Sequence, residues 1–313
     1  MKSKSFFALF SILLSAFSIS SFAQDDKKLL EGRWDMVITR DGKEVPSWLE
    51  VRHSGNHTLI GRFVGPGGSA RPISEVKVNE GKFSFAIPPQ WEKGDTNLEF
   101  EGQRDGENLK GTILFTDGKT YSWVASRAPA LHHDINPKWG KSISLFNGKD
   151  LTGWHATGEN QWVAEAGVLK NPKPKSNLVT DNKFMDFKLH IEFRCPKDGN
   201  SGVYLRGRYE LQITDNKGME ASDIFFGGIY GFLEPNQMAA KSAGEWQSYD
   251  VTLIGRRVTI VANGIAIITD QTIPGITGGA LDSKEGEPGP IMLQGDHEPI
   301  EFRNIVITPA IDK

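Results

Sequence analysis

Acidic, basic and amide side chains alternate with apolar ones along short segments in the C-terminal half of the chain. In FKLHIEFR (187–194), GVYLR (202–206) and YELQI (209–213), side chains two positions apart share one face of an extended strand. If these strands are neighbours in one sheet, we expect a single floor of carboxylates, arginines, amides and an imidazole. The residues that could do chemistry there are Glu192, Arg194, Asn200, Tyr204, Arg206, Glu210, Gln212, Gln294, Asp296 and His297.

A floor of this composition suits a sugar, whose hydroxyls need many hydrogen bonds while its C–H face stacks on aromatic rings. Trp154 and Trp246 lie outside the predicted strand cores and could supply such rings. The alternative interpretation is structural, because an antiparallel sheet often has one solvated face that carries cross-strand ion pairs. The repetition of Arg, Glu, Gln and Tyr, where a solvated face would be rich in Lys and Thr, favours a site.

The elements that must position these residues are β-strands. Residues 142–309 read as ten or more strands with long connections, which predicts a two-sheet jelly-roll sandwich. Asn263-Gly264 is typical of a two-residue hairpin turn between two of these strands. The whole fold is therefore predicted to be all-β.

The preceding residues 29–127 form a succession of short alternating runs separated by turn residues. Asp41-Gly42, Asp105-Gly106 and Asp117-Gly118 each offer the positive φ that tight hairpins need. About eight strands of this length predict a small antiparallel β-barrel or a strongly curled sheet. Residues 128–141 lack periodicity and are rich in Pro and polar residues, so we interpret them as an interdomain linker.

The composition and the N-terminal residues limit the classes of protein to which the chain could belong. The 313 residues carry a net charge of -3 with no cluster of Lys or Arg, which argues against nucleic acid as a partner. Residues 1–23 have the charged, apolar and small-x-small regions of a signal peptide, which predicts a periplasmic or secreted protein with no membrane span. The single Cys195 excludes an internal disulfide and is interpreted as a buried structural thiol.

The order of motifs in the C-terminal half resembles a known family. SLFNGKDLTGWH, WVAEAGVLK, DFKLHIEFR, GNSGVYLRGRYELQITD, GEWQSYDVTLIG and GPIMLQGDHEPIEFRNI follow one another as in the 3-keto-disaccharide hydrolase domain family. The resemblance covers residues 142–308. It implies a concanavalin A-like jelly-roll fold and activity on glycosides already oxidised to a ketone at C3, with the N-terminal barrel as an accessory domain.

The chemistry implied by the resemblance starts from the acidity of the C2 hydrogen next to a C3 ketone. A base removes it, the C1 group leaves by β-elimination, and water adds to the resulting enone. Glu210 or His297 is the expected base, Arg206 the enolate stabiliser, and Asp296 or His297 the acid. In an alternative, Glu192, Glu210, Asp296 or His297 holds a divalent cation that polarises the ketone.

Two other functions compete with this one. The first is a non-catalytic carbohydrate-binding protein, because sandwiches of this shape also occur as lectins. The second is an ordinary glycoside hydrolase, which needs two acidic residues that flank the scissile bond. Glu192 and Glu210 are the pair that the sequence offers for that role.

Overall fold

The computed structural model describes residues 28–311, and the predicted signal peptide lies outside this range. The described residues divide into two compact units, one comprising 28–63 with 71–127 and the other 64–70 with 128–311. None of the helices in the described range is long and apolar enough to cross a membrane.

The first unit is a closed antiparallel barrel in which every strand pairs with its neighbour in sequence and the first pairs with the last. Its strands are β1 Gly32–Arg40, β2 Lys43–Ser54, β3 Thr58–Val64, β4 Arg71–Asn79, β5 Lys82–Ile87, β6 Leu98–Asp105, β7 Asn108–Leu114 and β8 Thr120–Arg127. The predicted barrel is therefore confirmed.

Turn residues and interior packing both follow from the local sequence of the barrel. Asp41 and Gly42 have positive φ values of 50° and 76°, as a tight two-residue hairpin requires. The alternate apolar side chains fill the interior, where Trp34 is buried and donates its indole N–H to the carbonyl of Leu30. Gly111 is needed because a Cβ there would lie 1.9 Å from the carbonyl oxygen of Glu101.

The second unit is a two-sheet sandwich, as predicted. Its strands are β9 Lys138–Trp139, β10 Ile143–Ser144, β11 Trp154–Ala156, β12 Val163–Glu165, β13 Val168–Asn171, β14 Leu178–Thr180, β15 Phe187–Arg194, β16 Asn200–Leu205, β17 Tyr209–Thr214, β18 Gln247–Ile254, β19 Arg257–Ala262, β20 Ile265–Thr272, β21 Met292–Leu293 and β22 Ile300–Ile311. The larger sheet has nine strands, with the main order β12-β13-β22-β15-β18-β19-β20 and with β9 and β10 paired to β22. The smaller sheet has five strands, in the order β11-β14-β21-β16-β17.

The segment read as a linker belongs to the second unit in the structure. Lys138–Trp139 pairs with the end of β22, and Nδ1 of His133 lies 2.7 Å from Oδ2 of Asp186. Cys195 is buried and free, and burial raises the pKa of its thiol to about 11. These observations agree with a structural role for the thiol.

Candidate functional site

The candidate site lies on the smaller sheet, on the face that carries the alternate polar residues of β16 and β17. Tyr204 stands opposite Glu210, and Gly202 stands opposite Gln212. The backbone N–H of Gln294 donates to the carbonyl of Gly202 at 2.9 Å, which continues this row beyond β21. Strand alternation therefore places all five residues on one face. The intervening residues point the other way into the apolar core, where Val203, Leu211 and Leu293 are fully buried.

Glycine at position 202 makes room for the carboxyl group of Glu210. A Cβ on Gly202 would lie only 2.5 Å from Oε1 of Glu210, so the carboxyl lies over the glycine backbone. Glu210 is 4% exposed although it is on the face away from the sheet–sheet core, because loops cover this part of the sheet. One such loop contacts Tyr204, whose hydroxyl donates to the carbonyl of Gly278 at 3.0 Å.

Burial dominates the electrostatics of Glu210 and raises the pKa of its carboxyl to about 8. Hydrogen bonding with Tyr204, the charge of His297 and hydrogen bonding with Gln294 act in the opposite direction, and the charge of Asp296 adds to the rise. We call these five residues, Glu210, Tyr204, Gln294, Asp296 and His297, the Glu210 cluster. Its central carboxyl is mostly protonated at neutral pH.

Asp296 and His297 form a half-exposed ion pair at the edge of the cluster. Nδ1 of His297 lies 2.7 Å from Oδ1 of Asp296. This hydrogen bond raises the pKa of the imidazole, and the same bond lowers the pKa of the carboxyl of Asp296. Because Nδ1 is engaged by Asp296, Nε2 is the ring nitrogen that can serve a ligand.

Tyr230 is a site residue that sequence reasoning missed. Its backbone N–H donates to the carbonyl of Glu210 at 3.0 Å, and burial and then the charges of Glu210 and Asp223 raise the pKa of its phenol. The segment GGIYGF (227–232) has no strand alternation, so it reads as a plain loop. The aromatic residue between glycines was the signal that could have indicated it.

The prediction that β15 shares this floor is wrong. Glu192 and Arg194 lie in the larger sheet, where β15 pairs with β18 and β22. Glu192 accepts hydrogen bonds from Arg303 and Asn304, both at 2.6 Å. Arg194 is paired with Glu301. Alternation along a strand shows which of its own residues share a face, but it does not show which strands are neighbours.

The two tryptophans expected as aromatic walls also lie elsewhere. Trp246 carries the guanidinium groups of Arg194 and Arg303 over its ring, at 4.9 and 3.9 Å from the centroid, so it belongs to the outer ion-pair network. Trp154 is buried, and its indole N–H donates to the carbonyl of Leu145 at 2.6 Å. The cation–π contacts of Trp246 and the hydrogen bond of Trp154 both support the fold.

Arg206 is separated from the Glu210 carboxyl by the turn that follows β16. Its positive φ of 53° ends the strand alternation, which would otherwise have placed its side chain beside Tyr204. Its guanidinium donates to the hydroxyl of Tyr209 at 2.7 Å and contacts the sulfur of Met185. Tyr209 in turn donates to Glu285, so Arg206 belongs to a second buried polar group.

Asn200 lies beside the floor and anchors one of its amides. Its Oδ1 accepts a hydrogen bond from Nε2 of Gln212 at 3.1 Å. Of the four residues considered as ligands of a divalent cation, Glu192 lies in the other sheet, away from Glu210, Asp296 and His297. Among residues 28–311, no three His, Cys, Asp or Glu side chains are grouped so that they could hold a metal ion.

Comparison with known proteins gives the family. Residues 141–308 match the family described as the 3-keto-alpha-glucoside-1,2-lyase-like domain, which is more than half of the chain. The chain belongs to this family. All residues of the Glu210 cluster lie inside the matched range, so the 3-keto-alpha-glucoside-1,2-lyase-like domain contains the whole floor. The resemblance that the motifs indicated is therefore confirmed.

Three relatives illustrate the similarity to this domain. A 3-keto-disaccharide hydrolase of Bacteroides thetaiotaomicron is 28% identical over 121 residues, which cover 34% of this chain and 37% of the relative. The chain thus spans little more than a third of that relative's length. Two crystal structures of candidate glycosyl hydrolases from Parabacteroides distasonis are 30% and 27% identical, with TM-scores of 0.47 and 0.43. They cover 58% and 54% of this chain, and 96% and 98% of their own chains.

Proposed function

We propose that the second unit cleaves glycosides that carry a ketone at C3 of the sugar. A base removes the C2 proton, and the C2–H electron pair forms an enolate that is stabilised at the ketone oxygen. Return of that pair expels the C1 oxygen substituent, which takes up a proton and leaves as an alcohol. Water then adds across the enone, with hydroxyl to C1 and a proton to C2, so the net reaction is hydrolysis.

Glu210 is the base in this proposal, and its position carries the argument. A carboxyl that is buried over Gly202, with a pKa of about 8, is a stronger base than an exposed glutamate once it is ionised. After it takes the C2 proton it is neutral, which its buried position favours. The same proton is then available for the departing oxygen.

His297 supplies positive charge near the developing enolate, a role that the sequence had assigned to Arg206. Its imidazole keeps a raised pKa through the hydrogen bond to Asp296, so the protonated form persists at higher pH than for a free histidine. The charge of the imidazolium acts on the Glu210 carboxyl and lowers its pKa, which supports a shared role for the two residues. Asp296 orients the ring and does not itself transfer a proton.

The test measures aglycone release from a 3-keto glucoside and from its unoxidised parent, each with and without a chelator. We expect release from the keto compound alone, and a primary isotope effect when C2 carries deuterium. Glu210→Gln should lower turnover by about 100-fold or more, in the range for loss of a general base. Glu192→Gln is the matched control, because Glu192 lies in the other sheet, and it should retain wild-type turnover.

The other outcomes separate the competing functions. Equal release from the unoxidised parent would instead indicate an ordinary glycoside hydrolase. Sugar binding without release from either compound would make the protein a carbohydrate-binding module, and the proposal would fail. Loss of release on chelation would assign the polarisation of the ketone to a metal ion rather than to His297.

The proposal includes export to the periplasm or the medium. It rests on the sequence pattern of residues 1–23. Fractionation of cells that express the full chain, with N-terminal sequencing of the product, tests it. A cytoplasmic product that keeps its N-terminus would contradict export and leave the catalytic proposal unchanged.

A further inference from the structure

Two glutamine side chains flank the Glu210 carboxyl. Gln212 is directly opposite Gly202 on β17, and Gln294 is on the other side of Gly202, which accepts its backbone N–H. Their backbones lie about two strand spacings apart, roughly 9–10 Å. Because Gly202 has no side chain, the Glu210 carboxyl lies over it, in the space between the two carboxamides.

Each carboxamide is buried and has an unpaired carbonyl oxygen. Gln212 is 4% exposed and Gln294 is 7% exposed, and Oε1 of each has no hydrogen-bond partner among the described residues. Gln212 is anchored through Nε2 to Oδ1 of Asn200 at 3.1 Å, and the side chain of Gln294 interacts with the carboxyl of Glu210. Oε1 of each glutamine is therefore a buried acceptor without a donor among the described residues.

Buried polar groups in folded proteins are nearly always hydrogen-bonded, because leaving one unpaired costs stability. Two unpaired acceptors of the same kind beside one buried carboxyl therefore indicate a ligand that supplies hydrogen-bond donors. A sugar oxidised at C3 keeps hydroxyl groups on the carbons at either side of the ketone, and hydroxyls are donors.

We propose that the carbonyl oxygens of Gln212 and Gln294 accept hydrogen bonds from the hydroxyls that flank the reacting carbons, and that they make the site selective for sugars that carry these hydroxyls. This inference rests on the proposed function for the identity of the ligand. A substrate without one of the hydroxyls leaves a buried acceptor unpaired in the complex. Sites built to bond a hydroxyl reject the analogue that lacks it by large factors.

The C4 hydroxyl gives the sharpest test, because changes there leave the C2 proton and the C1 bond intact. The probes are a 3-keto glucoside and its 4-deoxy, 4-deoxy-4-fluoro and 6-deoxy analogues. Fluorine has nearly the size of a hydroxyl but cannot donate. With the wild-type protein we expect kcat/KM to fall at least about 100-fold for both C4 analogues. The 6-deoxy compound should lose much less.

Variants assign the effect to one amide. Gln212→Leu or Gln294→Leu should abolish most of the discrimination between the hydroxyl and the deoxy substrate. The control is Gln247→Leu, a buried glutamine of β18 whose Oε1 already accepts the N–H of Lys241 at 2.8 Å, and it should leave the ratio unchanged. Melting curves of each variant confirm that it is folded before the ratio is measured.

Two results would overturn the inference. Near-normal turnover of the 4-fluoro compound would mean that the site donates to O4, and discrimination that survives in both leucine variants would place the acceptor elsewhere. The wild-type measurement alone suffices if a variant does not fold. If the keto compounds are not cleaved at all, the proposed function fails. Calorimetric binding of the unoxidised counterparts of the same four sugars then still tests whether the two glutamine oxygens accept hydrogen bonds from a ligand.

Discussion

Replacing Glu210 with glutamine should change the way in which the stability of the second unit depends on pH. Burial raises the pKa of this carboxyl from 4.5 to about 8. Below 4.5 the group is protonated in both states, and its contribution to stability is complete. As the pH rises towards 8, the unfolded chain loses the proton while the folded chain keeps it, so the free energy of unfolding falls. Glutamine has no proton to lose.

The magnitude follows from the size of the shift. Each pKa unit corresponds to about 1.4 kcal/mol, so a shift from 4.5 to about 8 sets an upper limit of about 5 kcal/mol. Water that enters the ionised site would relieve part of this cost. We therefore expect Glu210→Gln to gain several kcal/mol over the wild type between pH 5 and pH 8.

Urea unfolding at pH 5, 6, 7 and 8, read by hydrogen exchange of peptides from β16 and β17, follows the second unit alone. Glu234→Gln is the control, because Glu234 is exposed and its charge is not among those that act on Glu210 or His297, and its curve should run parallel to that of the wild type. Parallel curves for Glu210→Gln and the wild type would refute the reasoning, since the carboxyl would then be solvated in the folded state.

Two further predictions concern the geometry and charge of the site. Gly202→Ala puts a methyl group 2.5 Å from Oε1 of Glu210, so the carboxyl must move. We expect kcat with a 3-keto glucoside to fall about 100-fold. An unchanged kcat would show that the carboxyl need not lie over the glycine. His297→Asn removes a positive charge that lowers the pKa of Glu210. The ascending limb of the pH–rate profile should therefore move to higher pH. A limb that stays in place would argue against an electrostatic effect of His297 on Glu210.

The barrel and the strand content of the sandwich were predictable because their signals are local. A dipeptide such as Asp41-Gly42 fixes a turn through its own backbone preference, and alternation fixes which side chains face the interior. The eight barrel strands pair in sequence order, so local signals also give the topology.

The site was only partly predictable because strand order in the sandwich is not local. β16 and β17 form a hairpin, so the pairing of Tyr204 with Glu210 could be inferred from adjacent segments. β15 immediately precedes them in the sequence, yet it lies in the other sheet and pairs with β18 and β22. Nothing in FKLHIEFR indicates that choice, because its apolar face would fit the inner side of either sheet.

Glu192 and Glu210 show why residue type alone could not assign the chemistry. Both are glutamates at polar positions of alternating strands in the same domain. At Glu192 burial acts to raise the pKa, but hydrogen bonds from Asn304 and Arg303 outweigh it, and the pKa is lowered. Such a carboxylate is a weak base held in an ion pair. At Glu210 burial is nearly complete and the hydrogen bonds are to Tyr204 and Gln294, which are uncharged, so burial prevails. The loops over the smaller sheet therefore cost the fold stability, and they raise the basicity of the ionised carboxyl, which the proposed proton abstraction requires.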